Sequence, residues 1–190
     1  MKIVALLGPS GVGKGWLKSC LIKKSDVDFF LPRIFTTRPS RKDDVENHKI
    51  SITNSEFDSK VEDGDIIYPH KLLSNSTNYN YGFSLDDLNV HSSKILLIEL
   101  YPTILPDFRL KYRNNLLSIG LLANEHTLES NLIKRGTETD FSLTTKMESA
   151  ESEVKLLLEY YEKNYIDYLF SMEDTEKNMT SIVEKIVKSI

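Results

Sequence analysis

The stretch Ile3-Val4-Ala5-Leu6-Leu7-Gly8-Pro9-Ser10-Gly11-Val12-Gly13-Lys14 decides how this chain folds. Its first five residues are all apolar, which predicts a strand buried on both faces, as in a parallel sheet. The glycines and the lysine that follow match the pattern G-x-x-x-x-G-K. In this pattern backbone N–H groups wrap phosphates without Cβ clashes, and the lysine reaches the β- and γ-phosphates. The predicted phosphate-binding residues are Gly8, Pro9, Ser10, Gly11, Val12, Gly13, Lys14 and Gly15.

The loop departs from the usual pattern at one position. Gly15 stands where a Ser or Thr hydroxyl would contact Mg²⁺, so that contact is missing. Because Mg²⁺ keeps several waters in proteins, a carboxylate can hold it through water, and Glu99 at a predicted strand end is the best placed. The alternative for Glu99 is a solvated strand-end residue, and the alternative for the whole loop is an ordinary glycine-rich turn.

The composition excludes several classes of protein. The 190 residues suffice for one domain with a core, and 24 Lys plus Arg against 28 Asp plus Glu give a formal charge of −4. A net-acidic chain lacks the basic surplus that nonspecific nucleic-acid binding needs. With Cys20 as the sole cysteine, no intrachain disulfide forms, which favours a reducing compartment. No apolar run approaches a membrane span. We therefore expect a cytoplasmic protein that binds neither nucleic acid nor membranes.

Predicted strands alternate with predicted helices along most of the chain. Further strands are predicted at 95–100, 116–122 and 167–170, and helices at 14–24, 126–135, 143–163 and from 175 onward. This alternation is typical of an α/β fold in which a parallel sheet is flanked by helices. The segment 33–89 differs, because short β-like pieces alternate there with Asn-rich and Ser-rich turns. It is predicted to form an inserted subdomain.

Several motifs accompany the loop and together resemble one family. Thr36-Thr37-Arg38-Pro39-Ser40-Arg41 follows the loop, and Tyr81-Gly82 comes later. Lys134-Arg135-Gly136-Thr137-Glu138 then runs on without a gap to Lys146-Met147. With the loop from Gly8 to Lys14, these stretches resemble the guanylate kinase family in short islands over nearly the whole chain.

The resemblance implies a domain organisation as well as a fold. The fold would be that of a guanylate kinase-like P-loop NTPase. Its core would comprise residues 1–32 and 93–190, and an acceptor-binding lobe would comprise 33–92. A lid would lie at about 136–145.

The resemblance also implies an activity. The chain would use ATP and Mg²⁺ to phosphorylate a small molecule that already bears a phosphate, with GMP or dGMP as the default. Arg38, Arg41 and Tyr81 would hold the acceptor phosphate, since guanidinium groups offer paired donors to phosphate oxygens. Asp44 would join this acceptor site in place of a family glutamate. The alternative for the two arginines is a solvated basic turn.

The catalytic residues that the resemblance implies are Lys14, Arg38, Arg135 and Lys146. Lys14 would neutralise charge as the γ-phosphoryl group leaves, and Arg135 and Lys146 would close over ATP. Lys146 replaces a family arginine, so it keeps the charge without the bidentate donor pair. Gly136 is expected in the left-handed region as a helix C-terminal cap. The alternative for Arg135 is simply a cation favoured at a helix C-terminus.

The contacts that would read a guanine base are less complete. Two family serines and one glutamate contact the base, and this chain has Ile34, Phe83 and the segment 68–70 at those places. Glu46-Asn47-His48 is similar to ribose 1,5-bisphosphate phosphokinase, whose acceptor carries no base. Otherwise His48 would be a surface histidine. A sugar-phosphate kinase and a non-catalytic guanylate kinase-like binding module are therefore the two alternatives.

Overall fold

The structure is a computed structural model that describes residues 2–40, 48–74, 77–89, 94–136, 140–173 and 175–190. Its contacts divide the chain into two units. The core unit comprises Met1–Phe29 and Ser93–Ile190, and the inserted unit comprises Phe30–Ser92. None of the helices within the described ranges combines the length and apolar character that crossing a membrane requires.

Strands and helices follow one another along the chain. The strands are β1 Ile3–Leu7, β2 Phe29–Phe30, β3 Ile34–Thr36, β4 Lys49–Ser51, β5 Ile66–Ser74, β6 Thr77–Ser84, β7 Ile95–Glu99, β8 Leu116–Leu122 and β9 Tyr168–Ser171. The helices are α1 Lys14–Lys24, α2 Asn54–Glu62, α3 Leu85–Leu88, α4 Leu105–Tyr112, α5 Glu125–Arg135, α6 Asp140–Glu162 and α7 Thr175–Lys188. Short 3₁₀ turns lie at Pro102–Ile104 and Arg113–Asn115.

The core unit is built on a five-stranded sheet in the order β2-β7-β1-β8-β9. β1 pairs in parallel with both β7 and β8, and β9 is parallel to β8. Every residue of β1 is buried, as expected for a central strand of a sheet covered by helices. The predicted α/β fold, a parallel sheet flanked by helices, is confirmed.

Three helices of the structure, α2, α3 and α4, were not predicted from the apolar pattern. α2 begins with a capping box, in which Thr53 Oγ1 accepts a hydrogen bond from the Glu56 backbone N–H at 3.2 Å. The Glu56 carboxylate in turn accepts one from the Thr53 backbone N–H at 2.8 Å. α4 lies in the connection from β7 to β8, two parallel strands on either side of β1, and such a connection requires a crossover. α6 begins at Asp140, so the part of the predicted lid from 140 to 145 is helical, and 137–139 lie outside the described residues.

A polar network fixes the β8–β9 edge of the core sheet. Arg109 of α4 donates from Nη2 to Asp167 Oδ2 and to the Tyr165 carbonyl oxygen, each at 2.7 Å. The same carboxylate oxygen of Asp167 accepts a hydrogen bond from the Ser118 backbone N–H in β8 at 2.7 Å. The carboxylate of Asp167, directly before β9, thereby ties this strand to α4 and β8, which lie some fifty residues earlier in the chain.

The inserted unit has its own sheet and core. Its four strands run in the order β4-β3-β6-β5. Phe35, Phe57 and Ile66 are buried at the centre of this unit, with Ile50, Ile52 and Val61 packed against them. β5 pairs with β6 in two registers, and the shift lies between Ile67 and His70, where Tyr68 has a φ of +54°. Such a bulge re-aims the side chains that follow it.

An ion pair ties the start of β3 to α3 within the inserted unit. Arg33 donates to Asp87 from Nε at 2.9 Å, from Nη2 at 2.8 Å and from the backbone N–H at 2.7 Å. Burial disfavours the ionised form of Asp87, but the hydrogen bonds from Arg33 prevail and lower the pKa of this carboxyl. The pair therefore stabilises the inserted unit chiefly while Asp87 is ionised.

We predict that Asp87→Asn lowers the free energy of unfolding at pH 7 by about 2 kcal/mol, because it weakens charge-assisted hydrogen bonds to Arg33. Since the folded-state pKa of Asp87 is lowered, its contribution is present above the usual pKa of about 4 and disappears as pH falls through the lowered value. Urea denaturation across pH measures this difference. The control is Asp86→Asn at the exposed neighbouring position; equal losses in both variants contradict the prediction.

Candidate functional site

The backbone of the phosphate loop is held tightly against the core unit. Gly8 has a φ of +148°, and a Cβ added there would lie 2.7 Å from the carbonyl oxygen of Leu121 in β8. Gly11 has a φ of +85°, and its Cβ would lie 3.0 Å from the carbonyl oxygen of Leu128 in α5. Any side chain at either position would push the loop away from its supports, so the loop path depends on glycine.

Lys14 lies at the first position of α1 and reaches back over the loop. Its Nζ donates hydrogen bonds to the carbonyl oxygens of Gly8 at 2.5 Å and Pro9 at 3.0 Å. Gly13 caps α1 in the left-handed conformation, without a side-chain cap, and the first turn of the helix carries no acidic residue. A helix N-terminus of this kind, beside an ammonium group, favours an anion. The loop therefore fits the phosphates of a nucleotide.

Asn131 supports the loop from α5, and the sequence carries no signal of this role. Its side-chain amide donates to the Gly11 carbonyl oxygen at 2.8 Å. The contact fixes which way this peptide faces, so the N–H groups of the loop are oriented before any ligand arrives. Asn131 was not among the predicted site residues because its partner lies 120 residues away.

Glu99, the predicted carboxylate for water-mediated Mg²⁺ binding, lies at the end of β7 beside α1. Its Oε1 is 2.5 Å from Nζ of Lys18, which lies one helical turn after Lys14. Gly15 offers no side chain, and the described residues contain no group of three or more His, Cys, Asp or Glu that could hold a metal. The described residues around the loop thus fit nucleotide phosphates, and the residue after Lys14 offers no hydroxyl to Mg²⁺.

Glu153 of α6 brings a negative charge near the loop lysine. Its carboxylate accepts a hydrogen bond from Ser149 Oγ at 3.2 Å. Burial raises the pKa of Glu153 above its usual value, while the charge of Lys14 acts in the opposite direction. Burial likewise raises the pKa of Tyr101, and the nearby charge of Glu153 adds to this rise. The sequence did not indicate that Tyr101, which follows β7, and Glu153, which lies in α6, are neighbours.

The two predicted lid cations lie in separate helices of the core unit. Arg135 is the last residue of α5, and Gly136 follows with a φ of 67° and a backbone N–H that donates to the Ile133 carbonyl oxygen at 3.0 Å. The expected left-handed cap at Gly136 is confirmed. Lys146 lies in the first half of α6, two turns before Glu153. Their roles in closure remain predictions.

In the inserted unit, Arg38 and Tyr81 lie at the same end of the β3–β6 pair. Tyr81 is the Cα partner of Thr36, the last residue of β3, and Arg38 follows two residues later. Arg38 is buried and donates from Nη1 to the Pro39 carbonyl oxygen at 2.8 Å. Its own carbonyl oxygen accepts from Ser51 Oγ at 2.8 Å. Arg41 and Asp44, the other predicted acceptor residues, lie outside the described residues.

Ile34, Phe83 and His70 lie at or near the positions where the guanylate kinase family contacts the base, and their surroundings differ from one another. Ile34 and Phe83 are Cα partners and are both buried, so they serve the core of the inserted unit. His70 stacks on Tyr81 with ring centroids 5.9 Å apart, and its Nδ1 donates to the Tyr68 carbonyl oxygen at 2.9 Å. Burial lowers the pKa of His70, so its ring is neutral at pH 7.

The position of His48 differs from one of the alternatives expected from the sequence. A surface histidine would be exposed, yet His48 is only 4% exposed, so that alternative is wrong. Its backbone carbonyl oxygen accepts a hydrogen bond from the Ile34 N–H at 2.8 Å at the edge of β3. The sequence around His48 is polar and charged, and burial follows from the pairing of β4 with β3, which local composition does not reveal.

We predict that Glu153→Gln tightens ATP binding at pH 8 by roughly three- to tenfold, because it removes one like charge near the nucleotide phosphates. The pKa of Glu153 is raised, so the wild-type carboxyl becomes neutral as pH falls through that value. The advantage of the variant therefore shrinks at low pH. Isothermal titration calorimetry at several pH values measures it.

The matched control for this prediction is Glu148→Gln, an exposed carboxylate on the same helix. We expect Glu148→Gln to leave ATP affinity unchanged. Equal affinities of the wild type and Glu153→Gln at pH 8 would contradict the electrostatic role given to Glu153.

Comparisons with known proteins agree with this geometry. No model of a known protein family matches the chain. Guanylate kinase from Mesomycoplasma hyopneumoniae strain J is 30% identical over 100% of this chain and 93% of its own length. Guanylate kinase from Mycoplasmopsis pulmonis is 31% identical over 80% of both chains. The crystal structure of guanylate kinase from Anaplasma phagocytophilum superposes with a TM-score of 0.71 at 18% identity, covering 98% of this chain and 85% of that one, which shows the shared fold. This chain belongs to the guanylate kinase family.

Proposed function

We propose that this chain transfers the γ-phosphoryl group of ATP to the phosphate of GMP or dGMP and releases ADP. The observation that carries the proposal is the glycine loop, which packs on β8 and α5 and presents Lys14 at the N-terminus of α1. The relatives named guanylate kinase supply the default acceptor. The inserted unit is proposed as the acceptor-binding lobe, and residues 136–145 as a lid.

On the donor side, the chain positions and neutralises phosphates. The loop from Gly8 to Gly15 holds the β-phosphate through backbone N–H groups, and Lys14 neutralises the charge that develops as the γ-phosphoryl group leaves. Arg135 and Lys146 close over ATP and exclude water, which suppresses hydrolysis. Phosphoryl transfer asks a protein for little beyond this positioning and charge stabilisation.

On the acceptor side, Arg38, Arg41 and Tyr81 align the acceptor phosphate, and Asp44 is proposed as a further residue of the acceptor site. An anionic oxygen of that phosphate attacks the γ-phosphorus in line, and the bond from the γ-phosphorus to its bridging oxygen breaks. Because the attacking oxygen is already anionic, no general base is required. The stacking of His70 on Tyr81 limits the rotation of the phenol and so supports its role.

A second candidate function is supported by the apolar character of two positions. Ile34 and Phe83 are buried in the inserted unit and offer no hydrogen bond from their side chains to a base. An acceptor without a base, of the ribose 1,5-bisphosphate phosphokinase type, would not need such bonds. Sites that recognise a base by hydrogen bonds lose discrimination when those partners are absent.

An acceptor panel separates these functions. ADP release from ATP is coupled to a spectrophotometric readout with GMP, dGMP, the other nucleoside monophosphates and ribose 1,5-bisphosphate. The proposal expects GMP or dGMP to give the highest kcat/KM. A preference for ribose 1,5-bisphosphate favours the second candidate, and turnover of none of these compounds with ATP still bound favours a binding module.

Arg38→Ala tests the acceptor site directly. We predict a loss of transfer of about a hundredfold or more, because the variant lacks the paired donors that align the acceptor phosphate. ATP affinity, measured by calorimetry, should stay within about twofold of the wild type. The control is Lys60→Ala, which removes a cation of the inserted unit that pairs with Asp65 at the surface. Retained transfer in Arg38→Ala at ordinary acceptor concentrations overturns the assignment.

A further inference from the structure

An ion pair lies directly behind the phosphate loop in the core unit. Lys18 follows Lys14 by one turn of α1, and its side chain is only 9% exposed. Its Nζ lies 2.5 Å from Oε1 of Glu99, the last residue of β7. β7 and β1 are parallel neighbours, and Leu6 of β1 pairs with Glu99, so the sheet register holds the carboxylate beside α1.

In this ion pair the negative charge of Glu99 balances the positive charge of Lys18. A buried ammonium is costly unless a partner of opposite charge lies within hydrogen-bond distance, and removal of that partner is strongly destabilising. Within the described residues, Glu99 is the acid that forms a salt bridge with Lys18. The carboxylate therefore stabilises the position of Lys18 in α1 beside the end of β7.

The same pair makes this corner of the loop unfavourable for a divalent cation. Mg²⁺ binds oxygen ligands and usually takes one from the hydroxyl that follows the loop lysine, which Gly15 lacks. A cation drawn to Glu99 through water would approach the ammonium of Lys18, and like charges repel strongly where solvent is partly excluded. Neither of the two positions from which the core unit would be expected to contact Mg²⁺, Gly15 and Glu99, therefore favours binding of the cation.

We infer that this chain binds ATP with an affinity nearly independent of Mg²⁺, because Gly15 supplies no hydroxyl and Lys18 occupies the carboxylate of Glu99. Any Mg²⁺ that accompanies the nucleotide is held by nucleotide oxygens and water, without a contribution from these two positions. The inference rests on the proposed ATP-binding function and concerns binding, so its test does not depend on turnover.

The first measurement compares ATP binding to the wild-type chain in excess Mg²⁺ and in EDTA. Calorimetry gives the affinities, and the fluorescence of Trp16, the chain's single tryptophan two residues after Lys14, gives an independent readout. The two affinities should agree within about threefold. A wild-type affinity that rises tenfold or more with Mg²⁺, on the order of 1.4 kcal/mol, overturns the inference. Absence of ATP binding in both conditions instead overturns the proposed function.

Variants then test the two named causes. Gly15→Ser restores a hydroxyl at a position where an added Cβ has nothing within 4 Å, so the fold should tolerate it. Lys18→Met removes the ammonium group that lies beside the carboxylate of Glu99. In each variant Mg²⁺ should tighten ATP binding by about tenfold, the value of one charge-assisted contact. The control is Lys23→Met, which removes the same charge from an exposed position of α1 and should leave the insensitivity to Mg²⁺ unchanged.

Loss of folding in one variant does not leave the inference untested. Lys18→Met removes the salt bridge between Lys18 and Glu99, so circular dichroism is recorded for every variant, and Gly15→Ser carries the test if Lys18→Met unfolds. A folded Gly15→Ser that stays insensitive to Mg²⁺ overturns the role given to the missing hydroxyl. A folded Lys18→Met that stays insensitive overturns the role given to the ion pair.

Discussion

The backbone packing of Gly8 is the constraint on which the rest of the core unit depends. The space that a Cβ would need is filled by the carbonyl oxygen of Leu121, 2.7 Å away, so the loop can leave β1 and turn into α1 only along this path. That path brings Lys14 back over the loop carbonyl oxygens and lets Asn131 hold Gly11 from α5. The phosphate-binding geometry is therefore a property of the sheet and its helices, and the loop sequence alone does not create it.

Charge around the loop follows from the same packing. Lys18 lies in the buried face of α1 and is neutralised by Glu99, while Glu153 of α6 lies within electrostatic range of Lys14. The net charge of −4 thus conceals a local arrangement in which each loop cation already has a counter-charge or a carbonyl oxygen nearby. Nucleotide phosphates must compete with these partners for Lys14, and this competition links affinity to the protonation of Glu153.

The parts of the structure that depend on local pattern could be predicted from the sequence. The bounds of β1 and α1 follow from an apolar run, three glycines and a lysine, and the cap at Gly136 follows from one residue type. Lys18 looks like an ordinary helix lysine, because the register that places Glu99 beside it joins strands some ninety residues apart. Asn131 and the burial of His48 escaped prediction for the same reason: each depends on a partner that tertiary packing supplies.

Titration of ATP into a matched pair of glycine variants tests the central claim most directly. Gly8→Ala places a Cβ against Leu121, whereas Gly15→Ala places one in open space on the same loop. If the packed backbone creates the phosphate site, calorimetry shows Gly8→Ala losing at least about tenfold in ATP affinity and Gly15→Ala staying within about threefold of the wild type. A folded Gly8→Ala that binds ATP as tightly as the wild type would contradict the account.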